Sequence, residues 1–254
     1  MKSWLRFLEP TPAQEIRALV LRSGEAVPVR WVRDARARRL RLIVGEQGVR
    51  LTLPRSASIK LAELFLFEHR DWLQSQLGRL PKFETRPFAR EFDTTLLLRG
   101  ERVPIDWAEG RYTRVELGDQ AATITLSSRA GEKQIRAAVR DFYAQQARAD
   151  IGHWLPRYLP TLPRPPMSFK LRPLSSLWGS LAPDDALSLD LSLVLGRASA
   201  FEYVLVHELC HLVHRDHSRR FWREVEKYCP DWRDERDYLH SDGIAIKAEL
   251  RRFK

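Results

Sequence analysis

The chain has 254 residues, 44% of them hydrophobic, and its 43 Lys and Arg outnumber 33 Asp and Glu for a formal net charge of +10. That is enough apolar material for one large domain or two small ones. Two cysteines give no disulfide framework and suit a reducing cytoplasm.

Residues 1–10 hold no apolar stretch long enough for a signal peptide, and no later run could span a bilayer. The expectation is a cytoplasmic protein without a membrane segment. Residues 27–32, 40–44 and 49–53 alternate as short strands, with 45–48 as a hairpin connection and Pro54 as the stop. Ser58 then caps a predicted helix through Leu77, whose apolar face is Leu61, Leu64, Phe65, Phe67, Trp72, Leu73 and Leu77. A second β region follows over 94–98, 103–107, 113–117 and 122–126.

From Gly131 the pattern changes. Ile135, Val139, Phe142, Tyr143, Ala147 and Ile151 form one face of a long helix from Glu132 to about Leu155, expected to pack under a later helix. Five prolines in residues 156–166 break it and read as a rigid connector. Residues 169–171 and 187–190 are expected strands of a small sheet. The fold class is therefore α+β, with a β-rich region carrying one helix over 1–130 and a second domain over 131–254, on which the histidines described next fall.

Four of the seven histidines, His207, His211, His214 and His217, fall within eleven residues on and just beyond a further predicted helix. At about 100° per residue, His207 and His211 share a face one turn apart, where two imidazoles can hold one cation. Glu208 sits beside them, as the base of a zinc hydrolase does. Catalytic zinc normally takes three protein ligands and keeps a fourth position for water. His217 is the favoured third ligand, because Arg215, Asp216 and Ser218 read as a break that returns the chain to the metal. His214 is the rival if the helix stays regular. The apolar lead-in over 201–206 implies a buried helix, a poor place for unpaired imidazoles. Cys210 reads as a small buried residue. Ser218 is placed to cap a helix starting at Arg219, with Phe221, Trp222, Val225 and Tyr228 at helical spacing.

His207-Glu208-Leu209-Cys210-His211, then His217-Ser218 with Phe221-Trp222, together with Trp178-Gly179-Ser180, residues 187–190 and 193–195, and 230–239, resemble the YgjP-like metallopeptidase family. That family is related to the SprT and WLM zinc peptidases. The resemblance implies a zincin-like domain, its active-site helix set against a small sheet, with Zn2+ held by His207, His211 and His217 and with Glu208 as the catalytic base. It also implies a peptide or protein substrate. The chain departs from the family at Leu177 and Leu181, where Arg and Cys are usual, and at Asp190, which replaces an asparagine. None of these is a ligand.

Arg30, Arg33, Arg36, Arg38, Arg39, Arg41 and Arg50 crowd one region, either as a solvated face or as a dock for an anionic partner. Two further readings stay open on that basis. One is a nucleotide pyrophosphatase, an activity assigned to members of the YgjP branch, although the acids Asp184-Asp185 and Asp234-Glu235 read as turn and helix-surface residues rather than a magnesium site. The other is a nucleic-acid-associated protein with a structural metal, because SprT and WLM relatives act on DNA-bound proteins. It would need a fourth ligand such as His214 or Cys210.

Overall fold

The computed structural model describes residues 14–45, 48–79, 86–174 and 177–254. The readings made on residues 1–10 and on the centre of the 45–48 connection lie outside the described residues. The chain divides into two compact units, residues 1–82 and 83–254.

In the first unit, strands β1 (Gln14–Val20), β2 (Ala26–Arg33), β3 (Arg41–Gly45) and β4 (Gly48–Leu53) form a sheet in the order β1-β2-β4-β3. The expected strands at 27–32, 40–44 and 49–53 are present, and β1 was not foreseen. Val29, Leu51 and Leu53 bury one face of this sheet against Ala62, Leu66 and Leu73. Those helical residues correct the expectation for 58–77. The segment is two helices, α1 (Ile59–Glu68) and α2 (Arg70–Arg79), broken at His69. Leu61, Leu64, Phe67 and Trp72, expected inside, are exposed. Apolar residues surround α1, so periodicity alone chose the wrong side. The small Ala62 and the Leu66 one turn on are what fit against the sheet. The Ser58 hydroxyl does cap α1, accepting from Leu61 N–H at 3.2 Å. Arg33, one of the clustered arginines, donates to the carbonyls of Pro54, Arg55 and Ala57 and so fastens the strand-to-helix loop.

In the second unit, β5 (Thr95–Leu98), β6 (Glu101–Glu109), β7 (Arg114–Leu117) and β8 (Ala122–Leu126) form a sheet in the order β5-β6-β8-β7. The long helix α3 (Glu132–Tyr158) lays its expected face on it, with Ile135, Val139, Phe142 and Tyr143 joining Leu96, Leu98 and Ile124 in one core. This shared core is why the units part at residue 82, whereas the sequence suggested a parting near 130. Strands alternating in and out must bury their inner face on something, and here it is α3. Pro156 sits inside the last turn of α3 rather than ending it.

A small sheet, β10-β11-β9, comes from β9 (Ser168–Arg172), β10 (Gly179–Leu181) and β11 (Ala186–Asp190), with β10 at its edge. A 3-10 turn over Leu191–Leu195 leads into α4 (Ala198–Cys210), followed by α5 (Arg219–Tyr228) and α6 (Trp232–Arg251). In α4, Phe201, Val204, Leu205, Val206 and Leu209 are buried, at about 1.5–3 kcal/mol each. Phe201 meets Trp154 of α3 edge to face at 5.3 Å, so α3 does pack against this helix. Among the described residues, no helix is long and apolar enough to cross a membrane.

A buried charge network fixes the C-terminal end of this unit. Asp93 accepts from Arg86 at 2.8 Å, from the Ala89 N–H at 2.9 Å and from Arg252, which also pairs with Glu249. Burial alone would lift the Asp93 carboxyl, but Arg86, the Ala89 amide and Arg252 outweigh it and hold it below the usual carboxylate range. Its contribution to stability is therefore complete above the ordinary value of 3.8 and is lost as pH falls through the lowered one. Asp93→Ala leaves Arg252 buried and short of a partner, and is expected to cost roughly 3–5 kcal/mol in urea unfolding at pH 7. A loss under about 1 kcal/mol would show that the network does not carry the fold there.

Candidate metal centre

His207 lies in the last turn of α4, and His211 is the residue that caps it. The helix thus ends at Cys210, earlier than the break expected at 215–218, yet His211 keeps a helical backbone and remains one turn from His207. Turns close the segment after it: Leu212, Val213 and His214 N–H groups return to the carbonyls of Leu209, Cys210 and Cys210. The chain then comes back, and His217 Nε2 reaches 3.1 Å from His207 Nε2. One ring nitrogen from each of His207, His211 and His217 can be chosen so that all three lie within 4.8 Å of one another.

His214 is not in this group. Its main-chain carbonyl accepts from His211 Nδ1 at 2.9 Å. That bond places the His211 proton on Nδ1 and leaves Nε2 with its lone pair free. Cys210 is buried among apolar neighbours, as expected. Burial, with the neighbouring imidazoles of His211 and His217, pushes the His207 ring down to about 3. Burial also lowers His211, against the His214 carbonyl, which acts the other way. Both rings are neutral at pH 7, the state a metal ligand needs.

The rings are packed as well as placed. Phe221, fully buried, stacks on His211 at 4.4 Å and meets His207 and His217 edge-on at 4.9 Å each. Trp222 stands 5.6 Å from His207 and 5.8 Å from His217, and stacks on Trp232 at 4.2 Å. The returning loop is pinned from both sides. Asp216 accepts from Ser218 N–H at 3.2 Å, and Arg215 donates to the Ala182 carbonyl at 3.2 Å and pairs with Asp185 in the β10–β11 turn. Ser218 does occupy the position ahead of α5, but its side chain makes no capping bond to that helix. The lock on His217 is therefore Asp216 and Arg215 rather than a serine cap.

Three imidazoles from two backbone segments suit a metal of zinc's preference. Two nitrogens bound to one tetrahedral zinc stand about 3.3 Å apart, from bonds of about 2.05 Å. The 3.1 Å between His207 and His217 fits such sharing. His207 Nδ1 is buried without a partner, so the ring's polar interaction must come through Nε2.

Glu208 packs against the small sheet. The residue is 6% exposed, and burial lifts its carboxyl to about 7, with a hydrogen bond from the Leu181 main chain acting downwards. Gly179 makes this seat. A Cβ there would lie 2.7 Å from both Cγ and Oε1 of Glu208, so any larger residue would displace either the carboxylate or the strand. The sequence contained Trp178-Gly179-Ser180 but gave no sign that its glycine touches Glu208. Asp190 N–H donates to Trp178 O and Ala182 N–H to Ala186 O, so residues 178 and 182 turn towards β11. By alternation Gly179 and Leu181 turn their main-chain groups outwards, to the side where Glu208 sits.

A family model for the YgjP-like metallopeptidase domain matches residues 38–242. The chain belongs to the YgjP-like family. It therefore carries a metallopeptidase domain, whose family implies a hydrolase, and the histidine group falls inside the matched span of this YgjP-like chain. The solved structure of the metallopeptidase zymogen of Pyrococcus abyssi abylysin is similar to it at 24% identity, over 41% of this chain and 93% of that one. The TM-score of that pair is 0.29, too low to establish a shared fold. No curated protein matches the YgjP-like chain.

Proposed function

We propose that the chain is a zinc-dependent metallopeptidase that hydrolyses peptide bonds, with His207, His211 and His217 as metal ligands and Glu208 as general base. The observation that carries this reading is Glu208, next to His207 on the same helix, whose buried carboxyl, raised to about 7, lies against Gly179 of an edge strand. When bound, zinc supplies a Lewis acid for the scissile carbonyl and lowers the pKa of water. Glu208 takes the proton from the attacking water and passes it to the leaving amine, work for which a carboxyl near neutral pKa is suited. Gly179 and the carbonyl of Leu181 offer outward main-chain groups, and an extended peptide can add to β10 along that edge. Trp222 and Phe221 hold the imidazoles and keep water from one side of them. The active-site helix against a small sheet is a zincin-like arrangement, carried by residues 131–254 within the unit of residues 83–254.

We place the reaction in the cytoplasm, in keeping with the free thiols of Cys210 and Cys229. Nucleotides and nucleic acid stay outside this reading. The donor set is three nitrogens, where phosphate chemistry favours oxygen-bound magnesium, and Arg33 is engaged within its own unit. Zinc-loaded protein is expected to cleave a pool of unstructured peptides, to lose that activity with a chelator and to regain it with zinc. Turnover of a nucleoside triphosphate with no peptide cleavage would overturn the proposal.

A further inference from the structure

The matched family span ends at residue 242, and two residues just past it, on one face of α6, bear on the strand that seats Glu208. Gly243 is one of them. A Cβ at that position would collide with Cζ2 of Trp178, so the glycine lets the indole lie directly on the helix backbone. Lys247, one turn on, is the other. Its ammonium donates to the carbonyls of Leu174 and Leu177 at 2.9 Å each and to Asp190 Oδ2 at 3.0 Å, and it stands 4.4 Å from the centre of the Trp178 ring. An ammonium has three protons, and all three have acceptors here while the ring takes its remaining side. The pair is buried, with side-chain exposures of 12% for Lys247 and 2% for Asp190. Asp190 is committed in turn: it accepts from Leu174 N–H and from the Ser192 amide and hydroxyl, and its own N–H holds Trp178 O at 2.7 Å. Everything Lys247 binds either leads into Trp178 or ends the strand beside it.

We infer that Gly243 and Lys247 are positioning residues for the general base: α6 sets how deeply the Trp178-Gly179-Ser180 strand presses on Glu208. The physical link is short. Gly243 and Lys247 fix the Trp178 ring, the next residue is Gly179, and Gly179 lies so near the Glu208 carboxylate that not even a Cβ would fit between them. Close packing transmits such a displacement rather than absorbing it.

This inference rests on the peptidase reading for its kinetic consequence but not for its structural one. The test uses the full zinc-loaded chain as wild type, Gly243→Ala, Lys247→Met and Gly243→Ala with Trp178→Phe. Hydrogen exchange at the Leu181 amide, zinc content, and kcat and KM on a quenched fluorescent peptide pool are read for each. Gly243→Ala is expected to keep its zinc, to speed Leu181 exchange at least about tenfold, and to lower kcat by about 10–100-fold with little change in KM, as misplacement of a catalytic group does. Trp178→Phe removes the atom in collision and is expected to restore part of both losses. Lys247→Met adds no bulk, and is expected to change Leu181 exchange and kcat in the same direction. Unchanged Leu181 exchange in folded Gly243→Ala, or in Lys247→Met should the first fail to fold, overturns the inference. So does a fall in kcat matched by loss of zinc. If wild type cleaves no peptide while Leu181 exchange responds as stated, the peptidase reading fails and the positioning role stands.

Discussion

Glu208→Gln is expected to lower peptide hydrolysis by about 10²–10⁴-fold, the range removed with a general acid–base catalyst, while zinc content stays at the wild-type level. Glutamine keeps the shape of the side chain in its tight seat beside Gly179, so the strand has no cause to move. It cannot take a proton from water. Because the carboxyl lies against the strand and is not among the three grouped nitrogens, the proposed metal ligands His207, His211 and His217 should stay in place. Equal loss of zinc and activity would make Glu208 a ligand and not a base. Retained activity would remove it from the chemistry altogether.

His217→Ala and His214→Ala are expected to separate completely. The first removes one of three nitrogens, and its zinc affinity should fall by more than the 10–100-fold typical of losing an outer-shell partner. The second removes only an imidazole, whereas His214 serves the site through its main-chain carbonyl, 2.9 Å from His211 Nδ1. Alanine keeps that carbonyl, so zinc should remain bound. Metal analysis of the purified variants reads the result directly. Zinc lost from His214→Ala and kept by His217→Ala would reverse the assignment.

The strands at 26–53 and 95–126 were legible because alternation of apolar and polar residues survives in any half-buried sheet. So was the face of α3, whose six expected residues are all buried. The face of α1 was not. Leu61, Leu64, Phe65 and Phe67 crowd several directions of one short helix, and only the sheet it meets could choose Ala62 and Leu66 instead. The extent of the second unit was hidden for a related reason. A strand's alternation tells that one side is buried, but not that Leu96 and Ile124 would find Val139 and Phe142.

At the candidate site, the spacing of His207, Glu208 and His211 was readable in the sequence, because a helix fixes which neighbours share a face. Sequence also carried the family, through the histidine run and the Trp178-Gly179-Ser180 block. It favoured His217 over His214 for the third nitrogen but could not trace the turn, whose path is set by contacts such as Arg215 with Asp185 that no local pattern encodes. It was silent on Gly179 under Glu208 and on Gly243 and Lys247 under Trp178. Local periodicity determines which residues can act together within one element. Which residues of distant elements meet is decided by close packing, and that is what seats Glu208 in this chain.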